Sequence, residues 1–141
     1  MLASRARLLV ASLWAGSLWT IGYVVAPTLF ATLHDNVLVG TIVGSLLRTE
    51  FMLTIPCAGL LQVLLKLSPP ENKRTINVLI GAMMLCGAAI FLGFQPMMAQ
   101  VKAQAGAAGL AETNFGLLHG LSQLVYLVES VLAGVLLVKL R

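Results

Sequence analysis

FGLLHGLSQLVYLVESVLAGVLLVKL, residues Phe115 to Leu140, carries one acidic residue, Glu129, before its basic end at Lys139. At 1.5 Å per residue this run exceeds the ~30 Å hydrocarbon core of a bilayer. It reads as a membrane-crossing helix. Its polar residues are not scattered. His119, Ser122, Gln123, Tyr126 and Glu129 recur at steps of three and four, which places them along one helical face. An ionisable side chain inside an apolar segment is costly to bury, so this stripe is the first candidate for function.

Three further apolar runs precede it. Leu8 to Leu33 contains no charge. It is too long for the hydrophobic region of a signal peptide and no A-x-A cleavage site ends it. His34-Asp35-Asn36 is the first polar break, with Asp35 or Asn36 able to cap the next helix. Val37 to Leu67 is interrupted by Arg48-Thr49-Glu50. Either an interfacial, amphipathic section precedes a crossing from Phe51, or one long tilted helix covers 37–67. Ser68 to Arg74, with two prolines, is a loop. Thr75 to Met98 is rich in small residues, suiting close helix packing. Lys102 to Thr113 is a small-residue connection. The chain is expected to be one all-α domain over 1–141, an integral membrane four-helix bundle with helices at about 8–33, 37–67, 75–100 and 115–140. No internal repeat is legible that would argue for an inverted-repeat transporter.

Composition agrees. The chain is 59% hydrophobic and 10% charged, against about 25% charged in soluble domains. The net charge of +4 does not imply nucleic acid, because the basic residues sit at segment ends. Arg5, Arg7, Lys66, Lys73, Arg74, Lys139 and Arg141 fall on one side, and Arg48 and Lys102 on the other. The positive-inside rule then expects both termini in the cytoplasm. The bilayer is the partner this composition implies, in a bacterial-type inner (cytoplasmic) membrane, with a homo-oligomer or larger membrane complex suggested by the small-residue faces.

Candidate chemistry is sparse. Glu129, near the middle of the last helix, reads either as a proton or cation handler or as a packing contact to Tyr126, Gln62 or Asn77. His119, close to the outer end and beside Gly120, reads as a metal or haem ligand, a proton relay or an interhelical hydrogen bond. Glu50, with Arg48 at the outer edge of the second span, is expected to approach His119. Ten residues put His119 and Glu129 about 15 Å apart along one helix, so His119 with Glu50 is the sharper site and Glu129 a separate question. The metal candidates are His119, Glu50 and His34. With two histidines in the chain, a closed His/Cys metal site cannot be assembled from one copy. Cys57 and Cys86 form no CxxC pair. The doublets Met83-Met84 and Met97-Met98 offer thioethers for a soft ion or simply fill a bundle. No nucleophile–base motif, phosphate loop or dinucleotide fingerprint is present, and no pattern specifies a cofactor.

The segment GSLWTIGYVVAPTLFATL, the glycine-spaced run into RTEF, and NFGLLHGLSQLVYL together resemble a bacterial family of small four-helix membrane proteins of unknown function, with eukaryotic relatives of the transmembrane protein 205 kind. The marks are Ala26, Pro27, Leu29 and Phe30 ending the first helix, and His119, Gly120 and Ser122 opening the last. The resemblance implies a four-helix bundle and no established activity. Through the eukaryotic relatives it implies a hint of soft-metal handling. The expected function is a non-enzymatic accessory or self-associating membrane component. The alternative is transport or binding of a soft metal ion, haem or protons through the polar stripe.

Overall fold

The structure is a computed structural model and describes residues 2–104 and 111–141. In chain order, α1 (Leu2–Thr20) runs through a π-helical turn (Ile21–Val25) into α2 (Ala26–Thr32). Then follow α3 (Asn36–Leu67) and α4 (Lys73–Ala88), which continues through a second π segment (Ala89–Phe94) into α5 (Gln95–Gln104). The chain ends in α6 (Ala111–Leu140). The described residues contain no strand. Most of the small-residue connection expected before the last helix lies outside the described residues.

Four rods, Leu2–Thr32, Leu38–Leu67, Lys73–Ala103 and Gly116–Leu140, have mean hydropathy between 1.5 and 2.2 and are long enough to cross a bilayer. Their outward faces carry large apolar side chains such as Leu9, Leu13, Val63, Leu85 and Val131. The protein is a multi-pass integral membrane helical bundle. Hydroxyls on the exposed faces bond back into their own helices, as Thr28 does to the Val24 carbonyl and Thr49 to the Ser45 carbonyl. Lipid offers no partner, so this local satisfaction is what keeps such residues tolerable.

The helices run beyond the apolar ranges, which is expected because hydropathy marks the hydrocarbon rather than the end of a helix. Of the two readings open for 37–67, the structure takes the single helix. Asp35 caps it, its carboxylate accepting the Leu38 N–H at 3.0 Å. Pro56 sits inside α3 without ending it. At one end of the bundle Arg7 donates to the Ser68 carbonyl, and Asn72 donates to the Lys139 carbonyl at 2.8 Å. The chain start, the 68–72 loop and the chain end therefore meet.

Around the bundle the order is α1, α3, α4, α6, each packed on its two neighbours, and burial reveals a repeat. Arg7, Ala11, Trp14 and Leu18 are buried in the first span; Ile76, Ile80, Met83 and Gly87, each 69 residues on, are buried in the third. The π segments end at Val25 and Phe94 at the same spacing, each followed two residues later by a proline, Pro27 and Pro96. In α3 and α6 the shift is 79 residues and relates Glu50 to Glu129, Thr54 to Ala133 and Cys57 to Leu136, all buried. Two like-oriented helical hairpins thus occupy equivalent places about an approximate two-fold axis along the bundle. The prolines account for the π segments. Proline lacks an N–H and crowds the carbonyl four residues back. A widened turn relieves this by letting Ala26 bond the Ile21 carbonyl and Gln95 the Ile90 carbonyl, five residues back.

Candidate functional site

The main core is apolar and lies toward the end where the termini meet, with Trp14, Leu61, Leu65, Ile76, Ile80, Met83 and Leu136 at its centre. Beyond it the interior turns polar. Glu50 lies fourteen residues after the first residue of α3 and seventeen before its last. Glu129 lies eighteen after the start of α6 and eleven before its end. Both are therefore deep in the bundle, 4% and 1% exposed. Because α3 and α6 are diagonal in the ring, equivalent positions on them both turn toward the axis. The two carboxylates line one pocket with Tyr126, Gln95, Phe51, Phe91, Leu47, Gly87 and Ile90, enclosing about 260 Å³ including its mouth. Phe51 and Phe91 stack across it, ring centres 5.0 Å apart at 22°.

The carboxylates differ in their support. Trp14 Nε1–H donates to Thr54 Oγ1 at 2.9 Å, and the Thr54 hydroxyl faces Glu50 Oε1 at a long 3.4 Å. The threonine is thereby oriented with its acceptor toward the indole and its donor toward the carboxylate. No hydrogen bond reaches Oε1 of Glu129, although the atom is buried. Tyr126, Gln62 and Asn77 do not supply one. The Tyr126 hydroxyl donates instead to the Leu18 carbonyl at 2.5 Å. Its ring lies against Gly22, where any Cβ would collide with it, and meets Tyr23 edge-on at 6.3 Å. Ser130 donates to the Tyr126 carbonyl at 2.9 Å, and Trp19 Nε1 donates to the Ser130 carbonyl at 3.2 Å. Tyr126 is a fixed wall with its proton already placed.

The stripe read from the sequence comes apart. Glu129 and Tyr126 line the pocket; His119, half-buried, does not. The structure brings Glu50 to Glu129, so Glu50 stands about ten residues of helix, or about 15 Å, below the level of His119. Ser122 is buried, but its hydroxyl is spent on the His119 carbonyl of its own helix at 3.0 Å. Gln123 and His34 are exposed. Cys57 lies in the apolar core. The pocket's polar side chains are all oxygen ligands or an amide, with no sulfur or imidazole. No group of three His, Cys, Asp or Glu residues is arranged to hold a metal among the described residues. Sequence reasoning passed over Thr54, Trp14 as a donor, and Gln95. The recurring π–proline pattern at Pro27 and Pro96 was the available signal.

A family model described as Domain of unknown function (DUF4149) matches residues 9–107. That range includes Glu50 and Gln95 and stops before α6. No curated protein and no solved structure matches the chain.

Proposed function

The chain belongs to the family described as Domain of unknown function (DUF4149), and from that premise, which brings no activity with it, we propose that this membrane protein binds a small cation, a proton included, between Glu50 and Glu129. The observation that carries the reading is the partnerless Oε1 of Glu129 in a pocket it shares with Glu50. A buried carboxylate without a donor is expensive to keep, and a cation offsets that cost where no protein donor does. Carboxylate and amide oxygens suit a hard ion or a proton, whereas a soft metal or haem calls for the sulfur and imidazole that lie elsewhere.

The setting we propose is a bacterial inner membrane with both termini cytoplasmic, on the distribution of basic residues. We also place eukaryotic proteins of the transmembrane protein 205 kind among its relatives, on the motifs at 26–30 and 119–122. A second reading, self-association as an accessory component, is favoured by Gly116 and Gly120. They lie four residues apart on α6, and an added Cβ at either would meet nothing within 4 Å; helices approach closely at such steps. Crosslinking in native membranes that yielded monomers alone would remove it.

Proton release decides the first reading. In weak buffer, adding a cation that enters the pair should displace protons from purified parent protein, and from neither Glu50→Gln nor Glu129→Gln. Parent protein that neither exchanges protons at these residues nor responds to any cation would overturn it.

A further inference from the structure

Beside the partnerless Oε1 of Glu129, the pocket wall contains a helical turn with a carbonyl short of a donor. The Gln95 N–H is turned to the Ile90 carbonyl, five residues back. Pro96 has no N–H to give. The Phe91 carbonyl would take its donor from Gln95 in an α-helical turn or from Pro96 in a π-helical one, so the helix offers it neither. Phe91 is part of the pocket wall, and so is Gln95. The Gln95 side-chain oxygen lies beside α3, 3.6 Å from where a Cβ would stand on Gly44. Glu129 Oε1 is in the same wall, 3.3 Å from the Cβ position of Gly87. A proton shared between the carboxylates would answer them and leave the Phe91 carbonyl unanswered. A metal ion answers every oxygen at once.

We propose that the pocket coordinates one dehydrated hard metal cation, of the alkali or alkaline-earth class, through the carboxylates of Glu129 and Glu50, the side-chain oxygen of Gln95 and the main-chain carbonyl of Phe91. This rests on the reading of the glutamate pair as a cation site and narrows it to a metal ion. Carboxylate, amide and carbonyl oxygens are the ligands such ions take. The closed part of the pocket accepts a body about the size of one water molecule, which fits a single bare ion. A divalent ion balances both carboxylates; a monovalent ion balances one and leaves the other to hold a proton. The opposite hairpin supplies an internal control. There Ala26 bonds the Ile21 carbonyl and Pro27 lacks its N–H, which strands the Gly22 carbonyl in the same way. Gly22, however, lies under the Tyr126 ring and outside the pocket lining.

The test is thermal unfolding of the full chain in detergent, in choline chloride against sodium, lithium, calcium and magnesium chlorides at matched ionic strength. At least one of the four should raise the midpoint saturably, as a ligand of the native state does. Pro96→Ala restores an N–H for the stranded carbonyl. It should unfold at higher temperature than the parent in choline yet need at least tenfold more of the active cation. Pro27→Ala should leave the cation requirement unchanged. A merely structural proline would not move stability and affinity in opposite directions, so a loss of both together counts against the proposal, as does a Pro96→Ala response equal to the parent's. If Pro96→Ala does not fold, Gln95→Leu takes its place, with the same tenfold loss expected and an unchanged response overturning the inference. If no metal ion acts while proton exchange still depends on Glu129, the glutamate pair stands and the metal ion falls. If both fail, both fall.

Discussion

The two hairpins share a frame and differ in how they treat the same residue. Glu50 and Glu129 hold equivalent buried positions on α3 and α6. In the first hairpin Thr54 lies one turn beyond the glutamate and Trp14 stands behind the threonine, so Glu50 faces an oriented hydroxyl. In the second hairpin the corresponding residues are Ala133 and Met83, both fully buried and neither a hydrogen-bond donor. Glu129 is left with an unanswered oxygen. Backbone geometry and burial repeat, while the polar trim does not. The consequence is a pair of carboxylates that are near-equals in place and unequal in chemistry, one positioned by the protein and one available to a ligand.

The contrast can be tested from its strongest expected effect downward. In the first hairpin Gly22 takes the place Phe91 takes in the second, and Tyr126 fills the space a side chain would need. Gly22→Ala should cost about 3 kcal/mol or more by overpacking, measured as a fall in thermal midpoint in detergent. At Gly87 the nearest atoms, of Phe51 and Glu129, stand 3.2 and 3.3 Å from an added Cβ, so Gly87→Ala should cost about 1 kcal/mol. Equal effects would mean that Tyr126 is not seated in the first hairpin as described. Next, Thr54→Val makes the first hairpin resemble the second. It strands the Trp14 N–H and removes the hydroxyl facing Glu50, for an expected loss of about 1 to 3 kcal/mol. A neutral outcome would dissolve the asymmetry.

Smaller effects follow from the glutamates themselves. Without added metal ion, Glu129→Leu should stabilise by about 1 kcal/mol, because it removes a buried polar group whose oxygen nothing answers. Glu50→Leu should gain less, since the Thr54 hydroxyl then loses its acceptor. The reverse order in unfolding measurements would place the unanswered carboxylate in the wrong hairpin. Smallest of all, Gln123→Leu should change stability by under about 0.5 kcal/mol and leave proton release from the pair as in the parent. A strong effect there would restore the continuous polar stripe as the working unit.

How the glutamates came to be paired shows where reading along the chain stops. Arg48-Thr49-Glu50 resembles an interfacial break, which would hold Glu50 at the outer edge beside His119. Within the continuous α3, Arg48 and Thr49 face outward while Glu50, about 100° to 200° further round at 3.6 residues per turn, is covered by its neighbours. Hydropathy averages over those directions, so it cannot tell an outward arginine from an inward glutamate two residues later. Ser122 and Gln123 show the same limit from the other side. Spacing places them on the functional face, yet one bonds its own helix and the other is exposed. Glu129 and Tyr126 were legible as buried polar residues because a mid-span position leaves few alternatives.

The chain's apolar runs, its proline-bearing loop and its scarcity of charge were enough to require four membrane-crossing helices, since a bilayer admits few ways to satisfy an apolar segment's backbone. They were also enough to mark Glu129 as a costly residue, whereas Glu50 read as an edge residue beside Arg48. Which residue meets which was settled only by the packing. Diagonal placement of α3 and α6 turned two glutamates 79 residues apart toward one axis, and Thr54 with Trp14 reached only the first of them. Partnership between helices depends on rotation about each axis and on neighbour order, and neither quantity is written in the period of a single helix.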